Sequence, residues 1–198
     1  KESVMSGTGN TTVGIVASGN NSIDGIMTDT QWSPGTIFYS FSLTSAAYSY
    51  QASAQHMPNG FNTVTAAQEA AVHFALNSGI GPNASDGFSV EGFTNLNITS
   101  LGNTNSGNAE IRFGETSSGS VGTARVADFP GNDFTGNVDD NGDVWFGSYQ
   151  GYVFRTPEAG NYAWATHLHE IGHALGLGHG GPYNGSSTYG TDNVFTLE

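Results

Sequence analysis

The chain has 198 residues, of which only 4 are basic against 17 acidic, for a formal net charge of −13. A field of that sign repels phosphate backbones and anionic membrane surfaces and draws polyvalent cations, which excludes nucleic-acid binding. Aromatic residues make up 12% of the chain, too many for a solvated tail, so it folds. The absence of cysteine excludes disulfides, thiolate metal sites and cysteine nucleophiles.

Residues 1–21, rich in Gly, Ser, Thr and Asn, read as an N-terminal arm, and residues 22–198 as one domain. Thr36-Ile37-Phe38-Tyr39-Ser40-Phe41, aromatic and β-branched, reads as a strand. Thr65 followed by Gln68 is a capping-box signature. It opens a helix through Ala71, Val72, Ala75 and Leu76 that stops at Gly79. Ala109-Glu110-Ile111-Arg112-Phe113 alternates apolar and charged residues, the pattern of a half-buried strand. Residues 121–129 and 143–146 read as further strands, and a final helix covers about 161–177. Strand, helix, several strands and helix make an α+β arrangement, a twisted mixed sheet with two main helices. No apolar run approaches the roughly 18 residues of a membrane span, so no membrane partner is expected.

The final helix carries His169-Glu170-Ile171-Gly172-His173-Ala174-Leu175-Gly176-Leu177-Gly178-His179. On a helix His169 and His173 stand about 40° apart and one turn from each other, so both imidazoles can reach one cation. Glu170 lies about 100° from the first histidine, near enough to reach a metal-bound water. His179 would sit about 240° from His173 on a continued helix, so it joins only if the chain leaves the helix first. Gly176 permits that exit, because a left-handed backbone costs glycine little. Three neutral imidazoles make an open, catalytic type of zinc site, where a bound water acquires a pKa of ~7. Glu170 would then take its proton as general base and deliver it to the leaving amine of a peptide. Ala165, Leu168, Gly172 and Leu175 form an apolar stripe that should pack inward.

This string resembles the zinc signature HExxHxxGxxH of the metzincin peptidases, which the matrixins also carry. More narrowly, residues 169–177, Thr156-Pro157-Glu158-Ala159-Gly160-Asn161-Tyr162, Ile23-Asp24-Gly25 with Trp32, and Ala109 to Gly114 are similar to serralysins, secreted bacterial metalloproteases. The resemblance covers most of 22–198. It implies a metzincin-like catalytic domain with five strands under two helices, zinc endopeptidase activity on protein or peptide substrates, and secretion. It also implies that an edge strand at Ala124, Arg125, Val126 and Ala127 pairs with extended substrate. Serralysins have a Met-turn after the third histidine and a calcium-binding β-roll, whereas Met5, Met27 and Met57 all lie upstream and no β-roll repeat is present. The expectation is a catalytic domain truncated before its Met-turn, partnered by the C-terminal remainder of its own polypeptide, with any Ca2+ mainly in that remainder.

Other polar features carry less. His167 should face away from the metal as a surface or interface histidine, and His56 and His73 have no partner at ligand spacing. Asp139-Asp140-Asn141-Gly142-Asp143 lacks the Gly and Glu positions of an EF-hand and reads as a polar turn. An irregular calcium site through oxygens at 139, 141 and 143 is the alternative. Trp145 and Trp164 read as core anchors. The rival to a peptidase is a zinc-stabilised binding or structural module that hydrolyses nothing, which would have no use for Glu170.

Overall fold

In the computed structural model, residues 12–28, 30–48, 60–77, 89–105, 107–117, 125–127, 142–147 and 154–179 are described. The elements in chain order are β1 (Thr12–Gly14), α1 (Asn21–Asp24), β2 (Thr30–Trp32), β3 (Thr36–Phe41), β4 (Phe61–Asn62), α2 (Ala66–Leu76), α3 (Val90–Phe93), β5 (Asn97–Asn103), β6 (Ile111–Thr116), β7 (Arg125–Ala127), β8 (Val144–Gly147) and α4 (Tyr162–Ala174). The main sheet runs β5-β3-β6-β8-β7, with β4 added antiparallel to the end of β6. β5, β3, β6 and β8 are mutually parallel, and β7 returns antiparallel along β8. A mixed sheet with two main helices, α2 and α4, is an α+β fold, as the order of elements in the sequence implies. Residues 12–14 of the expected arm pair with β2 in a separate two-stranded ribbon.

Strand alternation divides the buried residues into two layers. Ile37, Tyr39, Phe41, Ile111, Phe113, Val144 and Phe146 join Val72, Leu76, Ile171 and Ala174 of the two helices in one core. The opposite face carries a smaller cluster of Trp145 and Tyr48, with Ala47 and Phe61 against it. Trp145 is therefore the core anchor its size suggests, and Trp164, half-buried, packs on Phe74 with ring centroids 5.1 Å apart.

The capping box at Thr65 forms as its spacing predicts. The Thr65 hydroxyl accepts from Gln68 N at 3.3 Å, and the Gln68 side chain accepts from Thr65 N at 2.7 Å. α2 closes at Leu76 with Asn77 as its cap, and Gly79 lies outside the described residues. Of the span 121–129, only 125–127 is described, as β7.

The segment 109–113 is not half-buried. All six residues of β6 are buried, because β3 and β8 flank it and side chains cover both faces. Its charges go inward with partners. Arg112 donates from Nε and Nη2 to Asp143 at 2.7 and 2.8 Å and from Nη1 to Ala47 O at 2.7 Å. Its guanidinium also stacks 5.1 Å from the Tyr48 ring centroid. Glu110 accepts from Phe38 N at 2.6 Å. Glu115 lies 3.2 Å from Arg155 Nε, and burial pushes its carboxyl above the usual range, with Arg155 opposing. Gly142 carries φ +77°, and a Cβ there would stand 2.3 Å from Glu110 O, so the turn before β8 needs glycine.

Breaking the Arg112–Asp143 pair strands a buried guanidinium. Asp143→Ala should therefore cost about 3–5 kcal/mol, read as a fall in the denaturant midpoint. A loss below about 1 kcal/mol would show that the pair behaves as if solvated. A second test concerns His73, whose Nδ1 meets the Tyr39 hydroxyl and whose pKa burial lowers, with Glu69 opposing. The unfolded chain takes up this proton first, so His73 contributes full stability above about pH 6.5 and loses it as pH falls. Thermal midpoints between about pH 7.5 and 5.5 should fall less steeply in His73→Gln than in the parent chain. Equal slopes would remove His73 from the account.

Candidate metal centre

Helix α4 begins at an Asn cap. Asn161 Oδ1 accepts from Trp164 N at 2.8 Å while its Nδ2 donates to Thr156 O at 3.0 Å. The helix ends at Ala174, before the expected 177, in a reversal built on Gly176 at φ +101°. Gly176 N donates to His173 O at 2.9 Å and Leu177 N to Gly172 O at 2.9 Å. That pair of bonds is the Schellman closure, and the left-handed residue it needs is the glycine singled out by spacing.

The reversal brings His179 back over the helix. The Nε2 atoms of His169, His173 and His179 form a nearly equilateral triangle with edges of 2.9, 3.1 and 3.0 Å. The His169 and His179 rings are 26° from parallel, and His173 stands at 82° and 80° to them. His173 Nδ1 lies 2.6 Å from Leu177 O. A ring nitrogen against a carbonyl oxygen is the donor, which leaves the His173 Nε2 lone pair aimed into the cluster. Three imidazole nitrogens cannot all hydrogen-bond one another at these separations, whereas one shared cation takes all three lone pairs. The group can hold a metal ion, and imidazole donors suit zinc among the divalent metals. Glu170, next in sequence to the first histidine, is buried.

Several expectations need correcting. Ala165 and Leu168 are not packed inward, and Leu168 is 41% exposed. The buried residues of α4 are Thr166, His167, Glu170, Ile171, His173 and Ala174. Leu175 packs against the main core as expected, and with Leu168 and Gly172 it also lines an open apolar groove of about 600 Å³ beside Phe74, Val90 and Phe93. His167 is not a surface residue either. It is fully buried and stacked on Phe146 at 3.9 Å between centroids, with Nδ1 2.7 Å from Ala163 O. Burial lowers its pKa to about 4, so the ring is neutral near pH 7. His73 belongs to the Tyr39–Phe41 packing and not to the cluster, and His56 lies outside the described residues. Asp143, one oxygen source of the calcium reading, is engaged by Arg112 in full burial, and residues 139 and 141 lie outside the described residues.

Spacing did not reveal what holds the chain beyond the helix. Ile26, Met27 and Thr28 run antiparallel to residues 176–178, and the Trp32 indole donates to Ala174 O at 2.9 Å. These contacts join residues about 150 apart in sequence, which no local pattern encodes.

No family model matches the chain. A stretch of 53 residues is 47% identical to Serralysin of Proteus mirabilis, covering 27% of this chain and 11% of that protein. A stretch of 54 residues is 50% identical to Metalloprotease AprA of Pseudomonas entomophila (strain L48), covering 24% of this chain and 11% of that protein. The matched stretch thus spans about a tenth of the length of these curated relatives, and it marks a region similar to part of a serralysin-type metalloprotease.

The left-handed turn is open to direct test. A side chain at φ +101° is strained by roughly 1–2 kcal/mol. Gly176→Ala should lower the thermal midpoint and weaken metal binding together, because the same backbone places His179. Unchanged zinc affinity in that variant would show that the turn does not set the cluster.

Proposed function

We propose that residues 22–198 belong to the catalytic domain of a secreted zinc endopeptidase of the metzincin type, similar to serralysins. Its zinc ligands are His169, His173 and His179, and its general base is Glu170. The observation that carries the reading is the convergence of three Nε2 atoms within 3.1 Å of one another, next to a buried carboxylate in sequence. The matches to named metalloproteases support it, as does an acidic chain that repels nucleic acid. No helix among the described residues is long and apolar enough to cross a membrane.

His169, His173 and His179 would hold the zinc, which would supply Lewis-acid polarisation of a carbonyl and a water of pKa ~7. The protein supplies the remaining chemistry. Glu170 accepts a proton from the attacking water as its oxygen bonds to the peptide carbon. When the C–N bond breaks, the same carboxyl returns that proton to the departing nitrogen, so the carboxylate is regenerated. His173 keeps its ring fixed through Nδ1 and Leu177 O, which holds the lone pair in place for every turnover.

Substrate would enter as an extended strand. β7 stands at the end of the sheet path, paired antiparallel with β8, and among the described residues no strand lies beyond it. The proposed pairing surface is Arg125, Val126 and Ala127, with Ala124 preceding the described part. Backbone hydrogen bonds from such an edge recognise a peptide of any sequence.

Glu170→Gln separates chemistry from metal binding. The variant should keep zinc while peptide hydrolysis falls by about 10²–10⁴-fold, and a chelator should abolish hydrolysis in the parent protein until zinc is restored. Near-parental turnover in Glu170→Gln, or full activity after zinc removal, would overturn the mechanism. A zinc-loaded parent protein that hydrolyses no peptide would instead establish a zinc-stabilised binding module.

A further inference from the structure

The third histidine is reached through Leu175-Gly176-Leu177-Gly178, a linker with two glycines and little stiffness of its own. The Schellman bonds fix it only as far as Leu177 N. Beyond that point Leu177 O meets His173 Nδ1, and the other backbone bonds along 176–178 come from the segment between α1 and β2. Gly178 N donates to Ile26 O at 2.7 Å, and Thr28 N donates to Gly176 O at 3.1 Å. The Thr28 hydroxyl lies 3.0 Å from the same Gly176 oxygen and 2.9 Å from Thr30 O, so its one proton is shared between two carbonyls. The Trp32 indole N–H closes the row on Ala174 O at 2.9 Å. The Ala174 carbonyl is an orphan of the helix end and the Gly176 carbonyl lies just past it, and these bonds satisfy both.

The clamp is itself tied down. Asp24 accepts from Ser18 N at 2.7 Å and Gly19 N at 3.1 Å, and β2 pairs with β1. Trp32 is buried in the main core, beside Ala174. A short strap held at both ends therefore presses on the one part of the metal cluster that the helix does not fix.

We propose that Thr28 and Trp32 are positioning residues for His179, setting the third metal ligand through the backbone of 174–178. The proposal rests on the three-histidine reading above. It assigns the N-terminal segment a part in metal affinity that no ligand spacing implies. Without the clamp, His169 and His173 remain paired by the helix while His179 samples positions away from them. The site then behaves as a two-imidazole site with a loosely held third.

The test uses the whole chain with Thr28→Val, Thr28→Ser and Trp32→Phe, measuring zinc affinity by chelator competition and the visible absorption of the cobalt(II)-loaded protein. Valine keeps the shape of Thr28 without its hydroxyl, serine keeps the hydroxyl, and phenylalanine keeps an aromatic ring without the N–H. Thr28→Val and Trp32→Phe should each lower zinc affinity by about 10–100-fold, the range for losing support of a metal ligand. Their cobalt spectra should shift toward that of His179→Ala, and Thr28→Ser should restore both readings. Thermal midpoints taken with chelator present report packing damage separately. Parental affinity and spectrum in both Thr28→Val and Trp32→Phe overturn the clamp, as does a fall in midpoint with no spectral change. Failure of the underlying reading looks different, because then the parent chain binds no zinc, or His179→Ala binds it as tightly as the parent.

Discussion

A straight helix cannot aim histidines at spacings of four and six residues at one point. The backbone reversal at Gly176 resolves that conflict, and the geometry of the three-histidine cluster depends on it. With φ +101° the chain turns back after Ala174, and the carbonyls and amides at the helix end bond to the turn instead of to water. The same turn sets the His173 tautomer, because it delivers Leu177 O to His173 Nδ1. One glycine thus governs the end of the helix, the position of His179 and the direction of the His173 lone pair.

The sheet provides the rigid base on which α4 rests. Its central strands are parallel and buried on both faces, an environment that suits continuous apolar runs. This sequence instead places Arg112 and Glu115 there, with Glu110 just before the strand; Arg112 pairs with buried Asp143, Glu110 accepts from Phe38 N, and Glu115 lies against the exposed Arg155. Such pairs add little net stability compared with well-packed apolar residues, but removing one partner is expensive, so they constrain which strands may sit together. Arg112 reaches Asp143, Ala47 and Tyr48 at once, which ties β6 to the turn after β3 and to the residue before β8 on the side of the sheet away from the helices.

Much of this was legible in the sequence where the signal is local. The strand 36–41, the capping box at Thr65, the Asn161 start of α4 and the glycine exit all follow from short-range chemistry, and the structure has them. The histidine convergence was legible too, since it needs only helical geometry and one flexible residue. Failures arose where tertiary context decides. Alternation at 109–113 suggested one wet face, but β8 and β3 enclose the strand and the charges pair internally. The apolar stripe of α4 pointed to Ala165 and Leu168 as core, whereas the helix buries His167 against Phe146 and leaves Leu168 at a groove. The 26–28 pairing was invisible because its partners lie about 150 residues away.

The proposed zinc ion is held by the three imidazoles of His169, His173 and His179. X-ray absorption at the zinc edge of the loaded chain tests it most directly, because scattering from imidazole rings can be counted. The account predicts three imidazole nitrogens at about 2.0–2.1 Å with one further light atom from solvent. A spectrum with two imidazoles or fewer, or one dominated by carboxylate oxygens, would contradict it.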